Sequence, residues 1–481
     1  MKKVLVAGAA LMLVSGIAST ASAAAVEPGV KITGDARVRY GYASEEYFNK
    51  FGNDLRDATT RAEKDSQVNL DSRVRVNVTG TAAGGTYVKA RFRMEGGTGD
   101  IDQDPTALDN GFATNNNSNL WVDMAYVGIP FTDNFTLELG RYRSTYGPVG
   151  ATNNFFYDDV SSHGAKGIVK VGNVEINPFI EYMEEAQNST DTNPASSDKF
   201  DDNDEMRFGV HAKGKVNKDW TVGGMLGYQM DSRDEFRNPA NNTTVWFDPN
   251  EGFFGSLYVA GKSGAFGLVA ELAVTAAELN NFNSWEADNS SYIYSGTATT
   301  AWARVTNGNS DLIGSDDTGV GGYVFPTYTI DKLTIGVNAG FTSGGFQPDR
   351  AYGFIMMGTA DNSRISAIRI GDTGDWLWGG LVAQYAFSEA LKLTGNLVYA
   401  DIDAWSTTGI AGEGPTTSSG ALGSTYALES AWELSAILQY TISKGTDVFF
   451  SAGYLKPEFD RVTVLEDDAA FGALARLEVK F

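Results

Sequence analysis

Val68-Asn69-Leu70-Asp71-Ser72-Arg73-Val74-Arg75-Val76-Asn77-Val78-Thr79 alternates without interruption, with Leu70, Val74, Val76 and Val78 on one side and Asn69, Asp71, Arg73, Arg75 and Asn77 on the other. A period of two puts successive side chains on opposite faces of an extended strand. The segment before it, 31–42, repeats the arrangement: Ile32, Ala36, Val38, Tyr40 and Tyr42 oppose Lys31, Thr33, Asp35, Arg37 and Arg39. The segment after it sets Val88, Ala90, Phe92 and Met94 against Lys89, Arg91, Arg93 and Glu95. Three consecutive strands therefore each carry one apolar and one charged face.

Fifteen further segments have the same character: 119–129, 135–143, 164–171, 174–183, 205–215, 220–230, 253–261, 265–277, 319–330, 333–343, 375–387, 391–401, 428–442, 446–456 and 469–481. They bring the count to 18, or 16 if the two weakest, 164–171 and 319–330, are not strands. Short and long connections alternate between them. The short ones, 82–85, 130–134, 172–173, 217–219, 262–264, 331–332, 388–390 and 444–445, are hairpin turns by composition. The long ones, such as 43–66, 96–118, 184–204, 231–251, 279–317, 344–374 and 402–427, are rich in Asn, Asp, Ser, Thr and Gly. All short turns thus fall on one side. A soluble sandwich has no reason to sort its connections this way, whereas an outer-membrane barrel has short periplasmic turns and long extracellular loops. Hydrocarbon offers no partner for a free N–H or C=O, so a sheet crosses a bilayer only when closed on itself. The fold expected is all-β: a closed antiparallel transmembrane β-barrel of about 18 strands, its apolar face turned to lipid.

Composition narrows the function. The 481 residues contain no cysteine, which removes disulfide scaffolds and thiolate metal sites. A net charge of -23 argues against nucleic acid as a partner, since a phosphate backbone is held by clustered Lys and Arg. Met1-Lys2-Lys3, the apolar run 4–18 and Ala21-Ser22-Ala23 read as a secretory leader over residues 1–23, leaving 24–481 as the barrel. Beyond it no segment approaches the roughly 18 uncharged apolar residues of a membrane-spanning helix. Aromatic residues fall at both ends of the apolar faces, where amphipathic rings suit the headgroup level. Tyr40, Tyr42, Tyr182, Tyr228, Tyr399, Trp432 and Tyr454 stand near the outer rim, and Phe135, Trp220, Phe266, Phe387 and Tyr440 near the turns.

The C-terminal segment alternates Phe471, Ala473, Ala475, Leu477, Val479 and Phe481 with Gly472, Leu474, Arg476, Glu478 and Lys480, and so ends on an aromatic residue. It resembles the terminal strand of Gram-negative outer-membrane porins, and the resemblance implies that Phe481 is the signal read by the outer-membrane assembly machinery. Gly140-Arg141-Tyr142 through Tyr146-Gly147, followed by Phe155-Phe156-Tyr157-Asp158-Asp159, is similar to the strand and inward-folded third loop of that family. The resemblance implies that 144–163 narrows the pore, that the chain sits in the bacterial outer membrane among its lipids, and that it forms a homotrimer. Strict alternation from Phe135, Leu137 and Leu139 points Arg141 at lipid unless a bulge at Gly140 shifts the register.

Inward positions line water, and their charge biases what passes. Arg37, Arg39, Arg73, Arg75, Lys89, Arg91 and Arg93 fall on the polar faces of three adjacent strands and form a pore-lining basic stripe, with Lys166, Lys170, Arg207, Lys213 and Arg476 as extensions. Asp158 and Asp159 are the acidic residues of the constriction loop expected to oppose it, while Asp35, Asp71 and Glu95 allow some arginines merely to stitch strands together. Acidic residues of the long connection, Glu184, Glu185, Asp191, Asp198, Asp201, Asp202, Asp204 and Glu205, read as a solvated loop face. No calcium-loop pattern, phosphate-cradling glycine loop or His-Glu-x-x-His occurs, so no metal or cofactor is expected. With two histidines, His163 in a loop and His211, a catalytic role is not expected either. The function expected is passive diffusion of small hydrophilic solutes and ions, with a moderate preference for anionic or polar ones. A substrate-specific channel or polysaccharide exporter is the narrower alternative. A barrel-anchored surface-binding or structural protein, or an outer-membrane hydrolase, is the alternative of another class.

Overall fold

A computed structural model describes residues 27–44, 67–97, 120–148, 154–185, 204–231, 235–238, 243–247, 251–276, 279, 290–294, 302–306, 318–349, 352–358, 365, 368–371, 374–404, 427–460 and 469–481. The expected leader, residues 1–23, and Asp191, Asp198, Asp201 and Asp202 lie outside them.

The strands in chain order are β1 (Gly29–Ala43), β2 (Gln67–Thr81), β3 (Tyr87–Gly97), β4 (Leu120–Thr132), β5 (Phe135–Ser144), β6 (Val160–Val171), β7 (Val174–Glu185), β8 (Asp204–Lys215), β9 (Trp220–Asp231), β10 (Glu235–Asn238) and β11 (Thr243–Phe247). They continue with β12 (Gly252–Ser263), β13 (Phe266–Thr275), β14 (Ser290–Tyr294), β15 (Trp302–Thr306), β16 (Gly319–Ile330), β17 (Leu333–Ser343), β18 (Gly374–Ala386), β19 (Leu391–Ala404), β20 (Ala427–Ser443), β21 (Thr446–Asp460) and β22 (Ala470–Lys480). Eighteen of them form one antiparallel sheet, which closes where β22 pairs with β1 from Asp35↔Lys480 to Ala43↔Gly472. Closure leaves no edge with unpaired backbone groups.

All 18 alternating segments are strands of this sheet, including the two weak ones, now β6 and β16. The four short strands β10, β11, β14 and β15 were not anticipated. They lie in the long connections after β9 and β13, and join them in a separate four-stranded antiparallel sheet.

Exposure separates the two faces. Val38 is 46% exposed beside Arg37 at 3%, and Leu434 is 62% exposed beside Glu433 at 0%. A wall whose leucines and valines stand bare while its charges are covered has its apolar side outward, the reverse of a water-soluble core. The outer rings pair off in two groups: Tyr42 with Phe471 and Tyr399 with Trp432 at one end, Trp220 with Phe266 and Tyr385 with Phe387 at the other. Phe135 departs from the expected belt, being 6% exposed and stacked on Phe131.

Two register details differ from strict alternation. In β4 an irregularity opposite Arg91 and Phe92 brings both Asp123 and Met124 to the interior side. In β5, by contrast, pairing runs unbroken through Gly140 on both sides, so no bulge corrects the register there. Arg141 therefore keeps the strand parity of Leu139, paired with Ala125 and His163, but its side chain is covered, 9% exposed against 40% for Leu139, with its Nη1 3.5 Å from the carbonyl oxygen of Val122. His163 is likewise on strand β6, not in a loop as its polar neighbours suggested, and its side chain is exposed.

Candidate functional site

The charged residues of β1–β3 lie on the covered side of the wall, and cross-strand pairing distributes their charge. Asp35 lies between two guanidiniums, 2.9 Å from Arg75 Nε and 3.3 Å from Arg73 Nη2. Asp71 is 2.9 Å from Arg39 and 4.0 Å from Arg37. The β4 irregularity sets Asp123 against Arg91 at 2.6 Å, and Glu95 meets Arg93 of its own strand. Rings share the remaining load: Arg93 stands over Trp121 at 5.2 Å, Arg476 over Phe449 at 4.0 Å, and Lys89 over Tyr126 at 5.9 Å. The arginines thus both stitch the wall and leave it basic, because the seven stripe residues outnumber the four carboxylates Asp35, Asp71, Glu95 and Asp123 among them. Further round the wall Lys166 pairs with Glu138 at 2.9 Å and Lys213 with Glu175 at 3.0 Å.

The described residues of the connection 144–163 lie inside the barrel. Phe155, Phe156 and Tyr157 are fully buried, and Tyr157 O–H donates to the Glu181 carboxylate of β7. Burial holds the Tyr157 phenol well above its usual pKa, so it stays a donor across ordinary pH. The same cause acts on Tyr146, which stacks on His211 at 4.7 Å and Phe179 at 5.1 Å. His211 has both ring nitrogens in contact, at 3.2 Å from Asn177 Oδ1 and 3.0 Å from Tyr258 Oη. Asp158 and Asp159 are held on the loop's own stem: Asp158 accepts from Thr145 (3.0 Å) and Asn154 (2.8 Å), and Asp159 pairs with Arg143 at 2.7 Å. That stem position follows from the tight close of the loop, where Asp159 has a φ of 48° and its amide donates to Thr145 Oγ1.

A second inward segment escaped the sequence reading, which placed 344–374 among the outer loops. Its described residues Phe346, Tyr352, Phe354, Ile355, Met356, Met357, Ile365, Ile368 and Ile370 are all buried, in one cluster with Phe155 and Phe156. Asp349 N–H donates to the Phe155 carbonyl at 2.7 Å, so the two inward segments touch. Phe155 also meets Phe346 at 5.3 Å and Tyr352 at 4.8 Å, and Tyr352 Oη donates to Asn338 at 3.1 Å. The cover rests on interior residues of β18–β22 that are apolar: Trp376, Trp378, Val398, Ala400, Ile402, Leu455 and Leu474. One signal was available, since from Trp376 to Val382 β18 reads Trp-Leu-Trp-Gly-Gly-Leu-Val, without a polar side chain on either face. An interior face that is apolar needs something other than water against it.

Chemically, the arrangement is a tube with a cationic wall on β1–β4 and packed protein against the remaining wall, from Phe179 of β7 round to Leu474 of β22. Among the described residues no three metal-type side chains converge.

Residues 7–177 match a family model described as Gram-negative porin. No curated protein matches the chain. Among solved structures, Pseudomonas aeruginosa OccK11 (OpdR) is similar at 11% identity, covering 94% of this chain and 96% of its own, with a TM-score of 0.47. Pseudomonas aeruginosa OpdQ is similar at 10% identity, covering 94% and 97%, with a TM-score of 0.48. OmpT, an outer membrane protein of Vibrio cholerae, is similar at 11%, covering 96% and 100%, with a TM-score of 0.41. At such values the barrel stands on its own strand pairing rather than on these likenesses. With a closed barrel whose apolar face looks outward, the chain is a bacterial outer-membrane β-barrel protein, and its residues 7–177 are similar to Gram-negative porins.

Proposed function

We propose that the chain is a water-filled channel for passive diffusion of small hydrophilic solutes, with a moderate preference for anionic or polar ones. The observation that carries this reading is the interior stripe of Arg37, Arg39, Arg73, Arg75, Lys89, Arg91 and Arg93, which exceeds the carboxylates interleaved with it. A surplus of positive charge in a narrow passage with low-dielectric walls concentrates anions. The two inward segments favour one refinement, a channel narrow enough to select its substrate. In this reading Phe481 addresses the chain to the assembly machinery, residues 1–23 are removed on export, and three copies associate. No catalytic group is assigned: His211 is engaged by Asn177 and Tyr258, and His163 stands on the outer face. Reversal potentials of the purified protein in planar bilayers under a salt gradient test the proposal. A shift toward the chloride equilibrium potential supports it; a cation preference removes the argument from the stripe, and an absence of current favours a surface-binding anchor.

A further inference from the structure

We propose that Glu433 is the positioning residue that holds the segment around Phe354–Met357 in the lumen as the second jaw of the constriction, so that this one carboxylate sets the bore of the channel. The inference rests on the channel reading above. Glu433, on the interior face of β20, is fully buried. Its carboxylate accepts three consecutive backbone N–H groups, from Ile355 at 3.1 Å, Met356 at 3.1 Å and Met357 at 2.7 Å. Successive amides converging on one anion form a concave anion seat, and such charge-assisted bonds are the strong ones. Ser435 Oγ donates to the same carboxylate and in turn accepts from Asn396 Nδ2 at 3.0 Å, so the latch is braced by β19.

The wall is shaped to receive the segment. A Cβ on Gly453 would strike Met356, lying 2.7 Å from its Sδ, and a Cβ on Gly472 would lie 2.5 Å from the Ile365 Cβ. Two interior positions on adjacent strands thus lack side chains where the segment crosses them. Glutamate suits 433 because both carboxylate oxygens accept: the amide of Gln keeps one acceptor but sets its NH2 against the N–H group or groups at the other oxygen, and a shorter Asp falls back from the seat. A loop that merely drifted inward needs neither a buried anion nor cleared wall positions.

The experiment compares single-channel conductance of the purified full chain in planar bilayers, using Glu433→Gln and, because that variant risks failing to fold, Gly453→Leu, which fills the seat of Met356 while leaving Glu433 intact. Release of the segment raises conductance about twofold and lowers discrimination between chloride and larger organic anions. The chain has no cysteine, so Met356→Cys with Gly453→Cys in the Glu433→Gln background gives a reversible tether. Conductance returns to the wild-type value when this variant is oxidised and rises again under reductant. Conductance and discrimination unchanged in both single variants, or an oxidised tether that restores neither, overturn the positioning role. A wild-type protein that carries no current overturns the channel reading instead.

Discussion

Replacing Asp35 by Asn removes the carboxylate that lies between Arg73 and Arg75 and frees about one positive charge on the lumen wall. An ion passing about 6 Å away, in surroundings close to water, interacts with a unit charge by about 0.7 kcal/mol before screening. At 0.1 M salt, with a screening length of about 10 Å, about 0.4 kcal/mol remains. That energy raises the local anion population about twofold and lowers the cation population about twofold, a change of about fourfold in the chloride-to-potassium permeability ratio. The ratio grows to about sevenfold at 0.01 M and shrinks to about 1.4-fold at 1 M, because the screening length runs from about 30 Å to about 3 Å. The assay is the reversal potential of Asp35→Asn at these three salt concentrations, with the heat-dependent gel mobility of the folded barrel as control. Arg75→Gln gives the opposite sign by a similar factor. A permeability ratio that is unchanged in Asp35→Asn, or that moves toward cations, refutes the placement of this cluster on the conducting wall.

Other residues give separate tests. Arg141→Leu, on the strand parity of Leu139, leaves the permeability ratio at its wild-type value while Arg75→Gln does not, as paired reversal potentials show. Tyr157→Phe deprives the buried Glu181 carboxylate of its donor, at a cost of about 1–3 kcal/mol. The connection 144–163 loosens and open-channel current noise increases, whereas wild-type noise stays flat from neutral pH to mildly alkaline pH because the Tyr157 phenol does not ionise there. Gly34→Val directs a side chain at the Phe481 ring, whose Cζ lies 2.5 Å from where the Cβ would stand, and breaks the seam where Phe481 N–H meets Gly34 O at 3.0 Å. The yield of heat-modifiable barrel from a folding reaction falls at least as far as in a chain lacking Phe481.

The barrel was legible because lipid imposes a strict requirement: an outward residue every second position, with nothing local to compete. Even β6, with Ser161, His163, Ala165 and Gly167 outward, and β16, with Gly319, Gly321 and Gly322, kept enough alternation to be found. Charge pairing was half legible. Asp35 and Asp71 sit in plain alternation with their arginines, but Asp123 reaches Arg91 only through an irregular pairing of β3 with β4, which no spacing announces. For Arg141 the unbroken period gave the strand parity, and a register correction at Gly140 did not occur. The inward residues described between 346 and 371 were missed because Gly, Asp and Ser dominate the flanks of that connection like those of any outer loop. Its traces were Phe354-Ile355-Met356-Met357 in the middle and the apolar interior positions Trp376, Trp378, Val398, Ala400, Ile402, Leu455 and Leu474, two halves of one contact far apart in sequence.

Cysteine scanning along β2 tests most directly whether neighbouring residues face opposite surroundings, since the chain supplies no background thiol. Single cysteines at positions 73, 75 and 77 should react with a charged, membrane-impermeant thiol reagent and change the channel current. At positions 74, 76 and 78 neither reaction nor current change should occur. Reaction at the second set with silence at the first, or equal reaction throughout, contradicts the account.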